Sequence, residues 1–161
     1  MDATIAAASE ILQESLGALR AVIAGSTPQS LDWRPAGEDT NTVGVLAVHA
    51  MNSTRWWLSV ATGAPMPPRD RPSEFETVVG DVAELVTMFD EIAADCRRLL
   101  DANVPFEAGA ERIAPSSSRG GRSATSETVT AAWALLHGIE HLREHVAHAE
   151  LTTQLWERRQ A

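Results

Sequence analysis

Apolar residues recur at steps of three and four over the first two dozen positions of the chain. This spacing places them on one face of an amphipathic helix, which we predict at about residues 2–24. Gly25 and Pro28 follow, and both residue types are typical of a helix end. The apolar face comprises Ile5, Ala8, Leu12, Leu16, Leu19 and Ile23.

A second helix is predicted at about residues 41–61. The preceding stretch LDWRPAGEDTN contains Pro35 and Gly37 and is typical of a loop, and its last residues, Asp39–Asn41, are suitable helix N-caps. After Gly63 comes APMPPRDRP, whose four prolines are expected to exclude a helix before Ser73.

The third predicted helix, at about residues 74–102, has the clearest periodicity of the chain. Ser73 and Glu76 fit a capping box at its start. Cys96 lies within the apolar face and is therefore expected to be a small buried residue and not a catalytic thiol. That face comprises Phe75, Val78, Val82, Leu85, Phe89, Ile92, Cys96 and Leu99.

The fourth predicted helix covers about residues 126–158 and follows APSSSRGGRSATS, a Ser- and Gly-rich stretch expected to be a surface loop. No stretch shows convincing strand alternation and no internal repeat is evident. Four amphipathic helices must bury their apolar faces against one another. The pattern therefore predicts an all-α fold, a single-domain four-helix bundle over residues 1–161.

Composition narrows the classes of function. The chain has 161 residues, of which 44% are hydrophobic, and carries 13 Lys+Arg against 22 Asp+Glu for a formal net charge of -9. All of its cations are arginine. An acidic surface argues against binding nucleic acid or an anionic membrane. The absence of lysine beside abundant Arg and Ala suggests a bacterial genome of high GC content.

The sequence also bears on the cellular compartment of the protein. Cys96 is the single cysteine, so no intramolecular disulfide is possible. The acidic N-terminal stretch lacks the basic region of a secretory signal, and no apolar run approaches the roughly 20 residues that span a bilayer. We expect a cytoplasmic protein.

Histidines supply the candidate chemistry. Four of the five lie within twelve residues of the last predicted helix, on a stripe that borders its apolar face. Histidines four residues apart are stacked closely enough to chelate one divalent metal. The fifth, His49, is on the inner face of the second helix, where a buried imidazole needs a polar partner. The four are His137, His141, His145 and His148.

Spacing alone leaves the ligand pair open, because His137/His141 and His141/His145 are equally compatible with a metal shared with His49. Two interpretations without metal are also open. His49 could be hydrogen-bonded in the core, and the other histidines could form a pH-sensitive cluster.

Two stretches resemble one known family. LDWRPAGEDTNTVGVLAVHAMNSTRWWLSVATG resembles the helix that carries the first metal-binding histidine in the DinB/YfiT-like superfamily, and LLHGIEHLREHVAHAELTTQLW resembles its closing helix. The resemblance implies His49, His141 and His145 as metal ligands, with His137 and His148 at the edge of the site. His148 stands where the family often has glutamine.

The resemblance also implies an activity. Characterised members are thiol transferases and isomerases that use low-molecular-weight thiols such as mycothiol or bacillithiol, with zinc or another divalent ion such as nickel. We accordingly expect a small-molecule substrate. Asn52 and Arg55 follow His49 by about one and two turns, where they are placed to orient water or a carboxylated substrate. Glu144, beside His145, is a candidate second-sphere acceptor or general base.

Two other functions remain open at this point. One is a metal-dependent hydrolase in which Glu144 activates water. The other is a non-catalytic stress or interaction module in which the metal joins the second and fourth helices. We also expect a homodimer, because the bundle has exposed faces on which two copies of the chain can pack.

Overall fold

A computed structural model describes residues 2–101, 106–115 and 126–160 of the chain. Most of the Ser- and Gly-rich stretch predicted as a loop, residues 116–125, lies outside the described residues, as does residue 102 at the predicted end of the third helix. The helices are α1 (Ala3–Ala24), α2 (Pro28–Leu31), α3 (Val43–Thr62), α4 (Arg71–Glu74), α5 (Val82–Asp101) and α6 (Ala131–Gln160), with a 3-10 turn at Gly37–Asp39. The strands are β1 (Glu111–Ala114) and β2 (Glu127–Thr130).

Four long helices, α1, α3, α5 and α6, pack into one bundle and confirm the predicted all-α fold. The Asp2 carboxylate caps α1 by accepting from the Thr4 and Ile5 N–H groups. Thr42 caps α3, one residue beyond the predicted Asp39–Asn41 window. Gly63 ends α3 at φ 72°, a left-handed conformation that glycine adopts at little cost.

The third helix begins later than the sequence predicted. Residues 71–74 form the separate short helix α4, and α5 starts only at Val82. Asp70 caps α4 through the Ser73 N–H, so the capping box predicted for Ser73 and Glu76 does not form. The prediction that prolines exclude a helix before Ser73 was also wrong, because Pro72 lies in the first turn of α4, where no N–H is needed.

The fourth helix also begins later, at Ala131 and not near residue 126. The residues before it form β2, which pairs antiparallel with β1 so that Glu111 faces Thr130 and Ala114 faces Glu127. The prediction that the chain lacks strands was therefore wrong. Each strand has only four residues, too few for a clear alternating pattern.

Helix α3 is the central element of the bundle and packs mainly on α6 and α5. At Gly138 of α6 an added Cβ would lie 3.0 Å from the Cβ of Trp57, so the two backbones approach closely. Trp57 and Phe89 are among the largest side chains fully buried in the core. Among the described residues no helix is long and apolar enough to cross a membrane.

Cys96 is completely buried on α5, as its place in the apolar face predicted. Burial raises the pKa of its thiol to about 12. At neutral pH the group is therefore a protonated core residue and not a nucleophile.

Candidate metal site

Three histidines from two helices meet inside the α3–α6 interface. His49 of α3 and the pair His141 and His145 of α6 each offer one ring nitrogen, and these atoms all lie within 4.8 Å of one another. The His49 ring centroid is 5.2 Å from each of the other two. The Nε2 atoms of His141 and His145 are 3.3 Å apart. We refer to these residues as the histidine cluster.

The helices explain why the cluster forms. His141 and His145 are one helical turn apart, which stacks their rings on the same side of α6. The close approach at Gly138, one turn before His141, brings that side of α6 against the buried face of α3. His49 is only 5% exposed on that face.

A buried ion pair lies behind His49. Its Nδ1 is 2.7 Å from Oε2 of Glu74, a residue that is 3% exposed. Arg69 grips the same carboxylate with two hydrogen bonds, from Nε to Oε1 at 2.7 Å and from Nη2 to Oε2 at 2.8 Å. A carboxylate paired in this bidentate way is held in a fixed orientation.

The charge state of Glu74 sets the tautomer of His49. Burial alone would raise the pKa of Glu74, but the hydrogen bonds from Arg69 and His49 outweigh it and hold that pKa below its ordinary value. The ionised carboxylate can only accept, so the Nδ1 of His49 carries the proton and donates it. In the neutral ring Nε2 would then carry the lone pair, which is the form that binds a metal.

The rings of His141 and His145 are neutral at pH 7, because their surroundings lower their pKa values. Burial, followed by the neighbouring rings of His145, His49 and His137, lowers the pKa of His141 to about 3. Burial together with His49 and His148 lowers the pKa of His145 to about 4. The Nδ1 of His141 is buried and has no hydrogen-bond partner in the described part of the chain. Three imidazoles from two helices, with ring nitrogens within 4.8 Å of one another, therefore fit the nitrogen ligands of a divalent ion.

His137 and His148 lie apart from the cluster. The ring of His137 stacks on Trp133 at 4.6 Å and meets the edge of Trp57 at 4.7 Å, and its centroid is 5.9 Å from that of His141. His148 is exposed. Of the two pairs that spacing left open, the structure brings His141/His145 to His49.

The polar residues predicted beside the ligands have other surroundings. Arg55 donates to Asp95 of α5 at 3.2 Å and to the Asn52 side-chain oxygen at 3.3 Å. Asn52 donates back to the Val48 carbonyl at 3.1 Å. Glu144 is exposed. Arg55 lines a cavity between α3 and α5 whose walls include none of the histidines.

Glu74 and Arg69 were missed by sequence reasoning. Both belong to the stretch around the prolines, where no apolar period shows which side chains turn inward. The available signal was His49, whose predicted burial requires a polar partner. The sequence reasoning met that requirement with a metal, whereas the structure shows the Glu74 carboxylate as a polar partner of His49.

Comparisons with known proteins place the chain. The family model described as the DinB superfamily matches residues 11–149. A solved structure, titled "Crystal structure of the conserved protein of locus from Enterococcus faecalis", is similar over 96% of this chain and 97% of that one, with TM-score 0.70 and 17% identity. That likeness supports the fold. No protein with a curated description matches. The family match covers most of the bundle and all three residues of the histidine cluster, and the chain belongs to the DinB superfamily.

Proposed function

We propose that the protein binds a divalent metal ion through His49, His141 and His145 and acts as a thiol-dependent S-transferase or isomerase on a small electrophile. One observation carries the proposal: three imidazole rings from two helices offer nitrogens within 4.8 Å of one another. Three protein ligands leave a coordination position open, as in catalytic zinc sites. Zinc suits this ligand set best, and nickel also accepts imidazole.

The residues behind the cluster are suited to orienting a ligand. The Arg69–Glu74 pair directs the Nε2 of His49 towards the other two rings, because Nδ1 is held by the carboxylate. The Phe75 ring, 4.7 Å from the His49 ring, adds an apolar wall to this side. Such a wall limits water around the site and strengthens its electrostatic interactions.

The thiol would come from a cosubstrate. Cys96 is the chain's single cysteine, and it is buried with a pKa raised to about 12. A divalent ion held by the cluster would favour ionisation of an incoming thiol near neutral pH. In the transfer, a bond forms between sulfur and the electrophilic carbon, the leaving group departs with its electron pair, and the thiol proton passes to solvent.

The hydrolase alternative relied on Glu144 as the base. Glu144 is exposed on α6, and no contact among the described residues connects it with the cluster. The non-catalytic alternative, a metal that only joins α3 to α6, makes the same use of the histidines. Catalytic turnover of a substrate is expected for the transferase and not for the non-catalytic alternative.

The test is an assay of zinc- or nickel-loaded protein with mycothiol, bacillithiol or glutathione and monochlorobimane, whose carbon–chlorine bond a thiolate displaces. We expect thioether formation that requires the metal, disappears in His145→Ala and is retained in His148→Ala, a matched histidine variant on the same helix. Metal binding without turnover by any of the three thiols would overturn the transferase and leave the metal-joined module. Equal activity of His145→Ala would exclude the proposed site.

A further inference from the structure

A cavity of about 720 Å³, lined by none of the histidines, lies beside α3 and α5. Its walls come from the C-terminal halves of α3 and α5, the first turns of α1, the segment after Gly63, and β1. Sites that bind small molecules typically occupy about 300–1,000 Å³. The cavity is therefore large enough to hold a ligand of its own.

Arginine dominates the polar part of this cavity. Arg55, Arg98 and Arg112 line it, against two carboxylates, Asp95 and Glu107. Arg55 and Arg98 both donate to the single carboxylate of Asp95. The local charge is thus one positive unit in excess, in a chain whose formal net charge is -9.

Arg112 is the cation left without a counter-ion. No carboxylate of the described residues lies within 4.0 Å of it, and its Nη1 donates only to the backbone carbonyl of Glu111, at 3.1 Å. Its guanidinium packs against Gly63, where an added Cβ would lie 3.5–3.6 Å away. The Nε atoms of Arg112 and Arg55 are buried and have no partner in the described part of the chain. A guanidinium with unused donors favours a carboxylate or phosphate ligand.

Apart from the hydroxyl groups of Ser59 and Thr62, the rest of the lining is apolar. Ile5 and Leu100 are buried at 6% and 2% exposure, and Leu99 and Phe106 are half-buried beside them. Pro65 continues the apolar wall on the side of the segment after α3. A wholly charged ligand such as inorganic phosphate would leave this surface uncovered, whereas a hydrocarbon body would cover it.

We propose that this cavity binds a small organic carboxylate, with its carboxyl group on Arg112 and its apolar body against the half-buried side chains of Leu99 and Phe106. The site is separate from the histidine cluster, and binding there does not require a metal. The arginine-lined part of the cavity matches the carboxylate of such a ligand, and the apolar part matches its hydrocarbon body. The negative charge of the ligand's carboxylate balances the one positive charge that Asp95 and Glu107 do not neutralise.

The experiment uses octanoate as the probe, titrated into metal-free full-length protein by calorimetry and by amide NMR. We expect saturable binding with shifts confined to Ala61–Ala64 and the neighbouring wall. We expect affinity to fall about tenfold or more in Arg112→Gln, as for loss of a charged hydrogen bond, and to be retained in His49→Ala. Arg20→Gln, which alters an exposed arginine paired with Asp90, is the matched control and should bind normally.

Two further probes separate the contributions of charge and apolar surface. Octan-1-ol should bind about tenfold or more weakly than octanoate, because it lacks the carboxylate. Inorganic phosphate should bind more weakly still. Absence of saturable octanoate binding, equal affinity for octanol, or unchanged affinity in Arg112→Gln with shifts outside the cavity would overturn the proposal.

Discussion

Two sides of helix α3 carry opposite chemistry within two helical turns. On the side facing α6, His49 is buried against the other two rings of the histidine cluster, and its Nδ1 is hydrogen-bonded to the Glu74 carboxylate. On the side facing α5, Arg55 shares one carboxylate with Arg98 and borders a cavity. The first side offers unprotonated nitrogen lone pairs, and the second offers charged N–H donors.

In the proposed account, one helix separates a cation site from an anion site. Nitrogen lone pairs attract a metal ion only where the rings remain neutral, which burial favours for His141 and His145. Guanidinium groups stay protonated under all ordinary conditions, so the α5 side selects anions. Perturbing either side should therefore leave ligand binding on the other largely intact.

The largest expected effect is metal-dependent stability. At a free metal concentration about 1,000 times the Kd, binding to the folded state adds about 4 kcal/mol to the free energy of unfolding. For a chain of this size that corresponds to a Tm increase of roughly 8–16 °C. Calorimetric melting with zinc and after chelation measures it. A Tm that responds equally in His49→Ala would place the metal elsewhere.

A smaller effect is expected for Glu74→Gln. The amide keeps the shape but loses the charge that Arg69 and the His49 N–H face, so zinc affinity should fall about 10–100-fold, as is typical when a ligand's hydrogen-bond partner is altered. Competition with a chromophoric chelator gives the Kd. Glu76→Gln, at an exposed position two residues away, should bind zinc normally. Octanoate affinity should be unchanged in both variants.

Next comes the close contact between α3 and α6. Gly138→Val adds a branched side chain at a position where even an added Cβ would lie only 3.0 Å from the Cβ of Trp57. Overpacking of this kind costs about 1–3 kcal/mol of unfolding free energy. Chemical denaturation measures the loss. Gly17→Val is the control, because an added Cβ there meets nothing within 4 Å and the variant changes only helix propensity.

The smallest expected effect concerns Cys96. Its thiol is fully buried, and burial raises its pKa to about 12, so a disulfide reagent should label it only when the protein unfolds. The rate of thiol labelling is measured in native buffer and, separately, in denaturant. Rapid labelling of the native protein would show that the α5 side opens and would weaken the cavity proposal.

Parts of the fold were predictable because they depend on local periodicity. The apolar steps from Ile5 to Ile23 predicted α1 to within one residue at its start, and its stop at Gly25 was correct. The start of α5 was misplaced by eight residues, since Phe75 and Val78 continue the period of the helix. Tertiary contacts override that period: Glu74 is held by Arg69, and the Val79 N–H donates to the carboxylate of Asp32.

The site divides in the same way. The spacing of His141 and His145 and the inward register of His49 are local properties and marked the cluster residues in advance. The choice between His137 and His145 depends on where α6 crosses α3, which is a packing property. The roles of Glu74 and Arg69 depend on a proline-rich segment folding back on α3, and no periodic signal reports such a fold.

The most direct test of the proposed site is the metal content of the purified, tag-free protein, measured by elemental analysis before and after chelation and reloading. His49→Ala, His145→Ala and the exposed control His148→Ala are analysed in parallel. The account predicts one divalent ion per chain in the wild type and in His148→Ala, and its loss in the other two variants. A wild-type protein that takes up no metal on reloading, or a His49→Ala variant that retains it fully, would contradict the account.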